Sequence, residues 1–271
     1  MKRKKEMIPN VISYSALRDL DKCPYSFKLS KIDRIWINSS TIDTHYGTVI
    51  HAFGQNIIRR ADTKKEVARF ERLWTKFRGL YKNFLDPKEA LEYQEAGVKI
   101  LQSIRPTVEK EYGLNYQVFS IEEKLQERAV EEFSQQFKGF IDVVLLLEDG
   151  SYVLSDLKTC DTAFTFKKYA DKEKERQLVL YKHFLGKKHN IELKKIRTSF
   201  ILLEKSINSK EPVQIYEITS GNVKVRNHMA YLSKSLKIIN NNPMWVKNRT
   251  GCRWCSFNNT EYCENPNKNR W

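Results

Sequence analysis

The amino-acid sequence predicts an α/β fold, in which helices flank a mixed central sheet. Helical periodicity dominates residues 15–111, strand-like segments follow from residue 116, and one more helix precedes a cysteine-rich segment. The chain of 271 residues, with 41% hydrophobic and 12% aromatic residues, can bury a sizeable core. We therefore expect a single domain over residues 1–271.

The order of these segments predicts four regions within the domain. They are an N-terminal cysteine segment (1–30), a helical region (31–114), an α/β core (115–220) and a C-terminal helix with a cysteine segment (221–271). Helices are predicted at 15–29 with Ser15 as N-cap, at 47–60, at 63–111 with breaks near Pro87 and Pro106, at 171–187 and at 222–239. Strands are predicted at 116–125, 137–147, 152–158, 197–203 and 213–218.

The charge of the chain indicates its partners. Lys and Arg number 48 against 33 Asp and Glu, which gives a net charge of +15. Such a surface attracts polyanions, with nucleic acid as the first candidate, although a merely solubilising surface would have the same composition. No apolar run is long enough to cross a bilayer, and none follows the basic residues at the start. We expect no membrane partner, no signal peptide and a reducing, cytoplasmic location.

The cysteines have an uneven distribution. Cys23 stands alone near the start, whereas Cys252, Cys255 and Cys263 fall within the last twenty residues. A Cys-x-x-Cys pair suits thiolate ligation better than a disulfide, and four sulfurs complete the ligand set of a metal or cluster. The alternative is four unrelated thiols. Cys160 is expected to be an ordinary buried or half-buried thiol.

Two neighbouring predicted strands carry charged residues among apolar ones. The strand at 140–147 is apolar except for Asp142, so it is expected to be buried on both faces, where a carboxylate is costly without a positive partner. In the strand at 152–158, period-two alternation directs Asp156 and Lys158 to one face.

The turn between these strands decides whether the two aspartates meet. Residues 148–150 suit a three-residue loop with glycine in the left-handed position, which pairs Leu147 with Ser151. In that register Asp142 faces Asp156. A two-residue loop would instead turn the aspartates to opposite faces.

Two carboxylates that face each other can bind a hard cation. Two aspartates around Mg²⁺ or Mn²⁺, with the carbonyl of Leu157 nearby and the ammonium of Lys158 one pleat further on, would suit phosphodiester hydrolysis. The alternative is a buried ion pair between Asp156 and Lys158, with Asp142 partly solvated.

Three further polar residues are candidate members of the same site. Gln177 and Tyr181 lie four apart on a predicted helix and share a face. His51 lies in an otherwise mildly apolar helix, where a lone histidine is usually a core residue.

These residues occur in motifs that resemble those of a known nuclease family. The motifs are, in chain order, Cys23-Pro24-Tyr25-Ser26-Phe27, Gly47-Thr48-Val49-Ile50-His51, Gly139-Phe140-Ile141-Asp142, Asp156-Leu157-Lys158, the Gln177 to Tyr181 spacing, and Cys252, Cys255 and Cys263. One such motif recurs by chance, but all of them in this order are specific. The chain resembles the RecB-like branch of the PD-(D/E)XK nucleases, in particular its iron-sulfur members, which include the CRISPR-adaptation nucleases and the AddB nuclease domain.

The resemblance implies a restriction-endonuclease-like core and a role for each residue of the active site. The implied metal ligands are His51, Asp142 and Asp156, the implied catalytic lysine is Lys158, and the implied supporting residues are Gln177 and Tyr181.

The resemblance also implies a 4Fe-4S cluster. Its ligands would be Cys23, Cys252, Cys255 and Cys263, and it would staple the terminal segments together rather than carry out redox chemistry. An acidic position of the family on the preceding strand matches either Glu122 or Glu123.

The predicted function is metal-dependent cleavage of DNA. The sequence has no Gly-x-x-x-x-Gly-Lys-Ser/Thr loop, so we expect an exonuclease that acts on single strands or ends, or that relies on a helicase or recombination partner. Two alternatives remain: a non-catalytic nucleic-acid-binding subunit with a structural zinc, and an RNA-cutting endonuclease.

Overall fold

The structure, a computed structural model, divides into two compact units. It describes residues 8–37, 41–80, 86–168, 172–241 and 244–264. The smaller unit comprises Met1–Ser39, Leu125–Gly139 and Arg226–Trp271, and the larger unit comprises Ser40–Lys124 and Phe140–Val225. The single domain expected from the sequence stays a prediction.

Helices and strands alternate in the α/β pattern that the sequence predicts. The helices are α1 (Tyr14–Lys22), α2 (Pro24–Phe27), α3 (Ile42–Ile58), α4 (Thr63–Leu80), α5 (Pro87–Tyr112), α6 (Ala163–Lys168), α7 (Lys172–His189) and α8 (Asn222–Asn240). The strands are β1 (Val11–Ser13), β2 (Gln117–Arg128), β3 (Gln136–Leu146), β4 (Tyr152–Cys160), β5 (Ile196–Glu204) and β6 (Val213–Ile218). A π-helical turn covers Lys28–Ile32, and 3₁₀ turns cover Leu193–Lys195 and Cys252–Trp254. None of the helices within the described ranges is long and apolar enough to cross a membrane.

The sheet is mixed and flanked by helices, as predicted. In the larger unit the strand order is β3-β4-β5-β6, with β4 and β5 parallel and the other two pairs antiparallel. Strand β2 also pairs with β3. In the smaller unit β1 runs parallel to the first residues of β3, with Val11 opposite Gln136.

The turn between β3 and β4 has the predicted three-residue form. The Leu147 N–H donates to the Ser151 carbonyl at 2.9 Å, and Gly150 adopts a left-handed φ of 75°. The same register continues along the hairpin to Val143, which lies opposite Ser155. The predicted register is therefore confirmed.

The core of the larger unit lies on one face of its sheet. Leu157 of β4 and Ile201 of β5 are paired, so they share that face, and both are fully buried. Ile50 of α3, Trp74 of α4 and Ile104 of α5 are fully buried in the same cluster. Helices α3, α4 and α5 thus cover this face and fix α3 against the strands.

Glycines let α3 approach its neighbours closely. An added Cβ at Gly47 would lie 3.2 Å from Thr159 Oγ1 of β4, and one at Gly54 would lie 2.8 Å from Ile104 Cδ1 of α5. His51 lies four residues after the first glycine and three before the second, so it shares their face of the helix. The close approach therefore carries this histidine to β4.

Three predictions about helix bounds are wrong. Helix α3 begins at Ile42 rather than at residue 47, because the Thr41 hydroxyl caps it by accepting from the Thr44 N–H at 3.3 Å. The N-cap of α1 is Ser13 rather than Ser15, because the Ser13 hydroxyl accepts from the Ala16 N–H at 3.2 Å and Tyr14 is already buried. Helix α5 begins at Pro87 as predicted but continues through Pro106 instead of breaking.

The proline of α5 is tolerated because its neighbours are anchored. Ile104 and Val108 on either side of it are fully buried in the core, and this packing outweighs the one backbone hydrogen bond that proline removes. Asp171, the predicted start of α7, lies outside the described residues.

Candidate active site

Asp142 and Asp156 lie where the β3–β4 ladder ends. The paired residues run from Leu146 and Tyr152 to Val143 and Ser155, and the aspartates come next in this register. Here the Leu157 N–H donates to the carboxylate Oδ2 of Asp142 at 2.7 Å. The carboxylate of Asp142 thus accepts from the backbone amide of the residue that follows Asp156.

Lys158 forms an ion pair with Asp156. Its Nζ lies 2.7 Å from Asp156 Oδ2, and the Asp156 side chain is only 4% exposed against 35% for Lys158. The ammonium of Lys158 thus compensates the charge on the buried Oδ2, and this is the ion pair that the sequence offered as the alternative to a metal site.

Gln177 and Tyr181 reach the same carboxylate from α7. Gln177 Nε2 donates to Asp156 Oδ1 at 2.9 Å and to the Tyr181 hydroxyl at 3.4 Å. Burial, followed by the charge of Asp156, raises the pKa of Tyr181 to about 12, so this phenol is neutral at physiological pH. The predicted shared face of α7 is therefore directed at Asp156.

His51 faces Asp142. Its Nδ1 lies 3.8 Å from Asp142 Oδ2, which is an ion-pair distance and too long for a hydrogen bond. Burial lowers the pKa of His51 to about 4, while the charge of Asp156 opposes this shift and that of Lys158 adds to it. The imidazole is consequently neutral at physiological pH, and a neutral imidazole can ligate a metal.

Asp156 perturbs the ionisation of Asp142. Burial first, and then the charge of Asp156, raises the pKa of Asp142 to about 8. The Leu157 N–H and the Lys158 ammonium act in the opposite direction, and the charge of Glu122 adds to the rise. Two buried carboxylates this close resist being ionised together unless a cation joins them.

The structure distinguishes the two glutamates on β2. Gln55 Nε2 donates to Glu122 Oε1 at 2.6 Å and contacts the Asp142 carbonyl at 3.5 Å. Glu123 instead accepts from Lys188 Nζ and contacts His189 Nε2, each at 2.7 Å. Glu122 is thus the glutamate on the side of Asp142, and its φ of 52° marks a local distortion of the strand.

Gln55 was missed by the sequence analysis. It is 7% exposed and lies one helical turn after His51, so the i, i+4 spacing on α3 was the available signal. A glutamine at that spacing is common in helices, and only the fold brings it to β2 and β3.

The donor set suits a hard divalent cation, although its arrangement is not that of a formed site. Nowhere in the described ranges do three or more His, Cys, Asp or Glu side chains form a group that could hold a metal ion. The chemistry of Asp142, Asp156 and His51 nevertheless fits such an ion, since they offer two largely buried carboxylates and a neutral imidazole. For Leu157 the structure records the amide contact to Asp142, and a metal-binding role of its carbonyl stays a prediction.

The four cysteines of the predicted cluster all belong to the smaller unit, where the described thiols do not form a group that could hold a metal ion. Asn248 joins two of them, because its N–H contacts Cys23 Sγ at 3.4 Å and its carbonyl contacts Cys252 Sγ at 4.0 Å. Cys255 Sγ lies 3.8 Å from the hydroxyl of Ser26. Burial first, and then the nearby charges of Cys255, Cys263 and Cys23, raises the pKa of Cys252, while Arg249 opposes the rise.

Cys160 belongs to the larger unit and stands apart from this group. It is half-buried, as predicted, and burial raises the pKa of its thiol to about 11. All five cysteines are free thiols.

A family model and two solved structures are similar to this chain. The family model of the PD-(D/E)XK nuclease superfamily matches residues 11–263. The crystal structure of a "Putative exonuclease" from Eubacterium rectale has a TM-score of 0.54 and 13% identity, covering 88% of this chain and 84% of its own. The structure of SSO0001 has a TM-score of 0.42 and 14% identity, covering 95% of this chain and 86% of its own. No curated protein matches. The match over 11–263 shows that the chain belongs to the PD-(D/E)XK nuclease superfamily.

Proposed function

We propose that this protein is a divalent-metal-dependent DNA nuclease that hydrolyses phosphodiester bonds as an exonuclease on single-stranded DNA or DNA ends. The observation that carries the proposal is the β3–β4 register, in which Asp142 and Asp156 come next to one another beside Lys158. Membership in a nuclease superfamily and the net charge of +15 support it.

Asp142, Asp156 and His51 are the residues that we propose as ligands of the cation, with the Leu157 carbonyl as a further donor. A cation would relieve one unfavourable feature of the site, the close approach of two buried carboxylates that raises the pKa of Asp142. When bound, Mg²⁺ or Mn²⁺ neutralises phosphate charge and lowers the pKa of a coordinated water.

Lys158 would contribute a positive charge at the reacting phosphate. Its ammonium is partly exposed and lies beside Asp156, so it can hold the attacking water or donate to an oxygen on which negative charge develops. Gln177 would orient the same aspartate, because it holds Oδ1 and leaves Oδ2 directed into the site. Tyr181 would in turn hold Gln177 through their hydrogen bond.

We propose that Cys23, Cys252, Cys255 and Cys263 hold a 4Fe-4S cluster. The contacts of Cys23 and Cys252 with Asn248 support this proposal, as does the Cys-x-x-Cys spacing of Cys252 and Cys255. The role would be structural, because all four cysteines lie in the smaller unit and the proposed catalytic residues lie in the larger one.

The proposed substrate is DNA in single-stranded form or at ends. A basic surface neutralises backbone phosphates without reading sequence, and the exonuclease description of the Eubacterium rectale protein points to the same class of reaction. For duplex substrates we propose a helicase or recombination partner. A thiolate-bound cluster suits the reducing cytoplasm.

The test is a cleavage assay with anaerobically purified protein on end-labelled single-stranded DNA, beside a closed circular single strand. Asp156→Asn should abolish cleavage in Mg²⁺ or Mn²⁺ because it removes a proposed metal ligand while preserving shape. Asp149→Asn is the matched control, since Asp149 lies in the turn of the same hairpin and accepts from the Ser151 N–H. The control should cleave like the wild type.

The outcomes separate the alternatives. Degradation of the linear strand but not of the circle would establish an exonuclease, and the position of the label would give its polarity. Cleavage of the circle would establish an endonuclease. DNA binding without cleavage in any of the three proteins would overturn the proposal and favour a non-catalytic binding subunit.

A further inference from the structure

Helix α6 lies on the face of the sheet that carries Asp156. The ring of Phe166 meets the ring of Phe200 nearly edge to face, with centroids 5.3 Å apart at 70°. In the parallel β4–β5 ladder Phe200 is the partner of Asp156, and directly paired residues point to the same face. The helix therefore packs on the strand next to that of Asp156, and neighbouring strands lie about 5 Å apart.

The position of α6 is fixed at its start as well. The Ala163 N–H donates to Glu204 Oε2 on β5 at 3.0 Å, and the Thr162 hydroxyl accepts from the Thr165 N–H at 3.1 Å. Together with the Phe166 contact, these bonds hold the short helix against β5. The side chains on the outer side of α6 therefore have a defined position relative to β5.

Phe164 is the large apolar side chain on that outer side. It lies two residues before Phe166, so the two rings point to different sides of the helix. One ring is packed on the sheet, and the other is 75% exposed. A single exposed aromatic residue is ordinary in proteins, and this one is informative because of its surroundings.

Two lysines of α6 share the side of the helix that carries Phe164, because Lys167 and Lys168 follow it by three and four residues. Lys167 Nζ is held by Gln214 Oε1 at 2.8 Å, and Lys168 is exposed at the end of the helix. The acidic residue nearest in sequence, Asp161, shares the ammonium of Lys205 with Asp43.

We propose that α6 is the surface on which single-stranded DNA lies as it enters the active site, with a base stacked on Phe164 and phosphates beside Lys167 and Lys168. This proposal rests on the proposed function. Stacking on an aromatic ring tolerates every base, and lysines bind phosphates without reading sequence, so the surface suits a nuclease that degrades strands of any sequence. Because α6 packs on the strand next to that of Asp156, a base held on Phe164 would place the neighbouring phosphate at the active site.

The test is binding of fluorescein-labelled oligothymidylate, followed by anisotropy in EDTA so that no strand is cut. Phe164→Ala should weaken binding by about 5- to 100-fold, the range expected for loss of one stacked base. Phe164→Trp should restore it. Leu114→Ala is the matched control, because Leu114 is another exposed apolar residue of the larger unit, at 68% exposure, and it should bind like the wild type.

Salt dependence gives a second, independent readout. Phe164→Ala should keep the wild-type slope of log K against log salt, because no phosphate contact is lost. Lys168→Ala should reduce the slope by about 0.7, the value for one phosphate contact on a single strand. The tryptophan of Phe164→Trp should also be quenched when the strand binds, which reports stacking directly even if the alanine variant folds poorly.

Binding by Phe164→Ala equal to that of the wild type, with no quenching of Phe164→Trp, would overturn the inference while leaving cleavage, and so the proposed function, intact. Weakened binding in a protein that cleaves nothing would support the binding surface and reject the nuclease assignment. The two failures are thereby distinguishable.

Discussion

Asp142 experiences opposing influences on its ionisation. The Leu157 N–H favours the carboxylate, while burial and the charge of Asp156 favour the protonated form and prevail, so that the pKa reaches about 8. In an unfolded chain an aspartate has a pKa of about 3.9. Between these two values the folded protein holds a proton that the unfolded chain has lost, so without a divalent cation the free energy of unfolding falls as pH rises from about 4 to 8.

Asp142→Asn should therefore stabilise the cation-free protein at alkaline pH. In EDTA at pH 8.5 we expect the melting temperature to rise by a few degrees, for a gain on the order of 1–3 kcal/mol, because a buried charge is removed and the amide oxygen can still accept from Leu157. At pH 4.5 the difference should nearly vanish. Circular dichroism melts at both pH values measure this.

Asp149→Asn is again the control and should give no gain at either pH, because the ionised form of this aspartate is favoured by its bonds to Ser151. An equal gain at both pH values for Asp142→Asn would contradict the raised pKa. Adding Mg²⁺ at pH 8.5 should stabilise the wild type and leave Asp142→Asn unchanged.

At the scale of elements, the β3–β4 hairpin was predictable and the surroundings of its aspartates were not. The turn residues carry their own conformational signal, with Gly150 in the left-handed region, and a period-two pattern then fixes every pair along the strands. Gln55 and Glu122 depend on how α3 meets β2, which is set by tertiary packing. Pro106 shows the same limit, since core packing overrides a local signal.

The packing of α5 against α4 can be tested with a pair of glycines. A Cβ at Gly97 of α5 would lie 2.4 Å from Phe70 Cζ and 3.1 Å from Ile50 Cδ1, whereas one at Gly79 of α4 meets no described atom within 4 Å. Gly97→Ala should destabilise the protein by about 1–3 kcal/mol through overpacking, even though alanine favours a helix. Gly79→Ala should instead stabilise it by up to about 1 kcal/mol.

Denaturant titrations of both variants give the two free energies of unfolding. Because the substitutions are chemically identical, opposite signs would isolate packing as the cause. A stabilised Gly97→Ala would show that the ring of Phe70 can move away, and the close approach of α4 and α5 would then not be a constraint.

At the scale of the whole chain, the cysteines bring together segments that are remote in sequence. The contact between Asn248 and Cys23 spans 225 residues, and that between Cys255 and Ser26 spans 229. Residue spacing predicted a group of four thiols, and the structure shows the contacts of three of them with Asn248 and Ser26, while the group itself stays a prediction. The contacts with Asn248 and Ser26 could not be predicted, since they depend on how the chain returns to its start.

Cys252→Ala should therefore reduce stability far more than it reduces catalysis. If the four thiols hold a cluster, losing one ligand should lower the melting temperature of anaerobically prepared protein by about 10 °C, on the order of several kcal/mol. The rate of cleavage at 25 °C should change little. Iron and sulfide analysis, with visible absorbance, identifies the bound species and distinguishes a cluster from zinc.

Cys160→Ala serves as the control, because Cys160 belongs to the larger unit and should leave the iron content unchanged. Wild-type melting of Cys252→Ala would contradict a structural role for the four cysteines.

The β3–β4 hairpin also affects the order in which the candidate active site forms during folding. Asp142 and the Leu157 N–H are 15 residues apart, whereas Gln55 of the covering helix reaches the Asp142 carbonyl across 87 residues. Closing the longer loop costs about 1.5 kcal/mol more in chain entropy. The two carboxylates would thus be brought together early, by a local turn, before α3 encloses them. A newly made chain would pass through a stage in which this acidic pair is open to solvent, where a cation could enter without the protein having to open again.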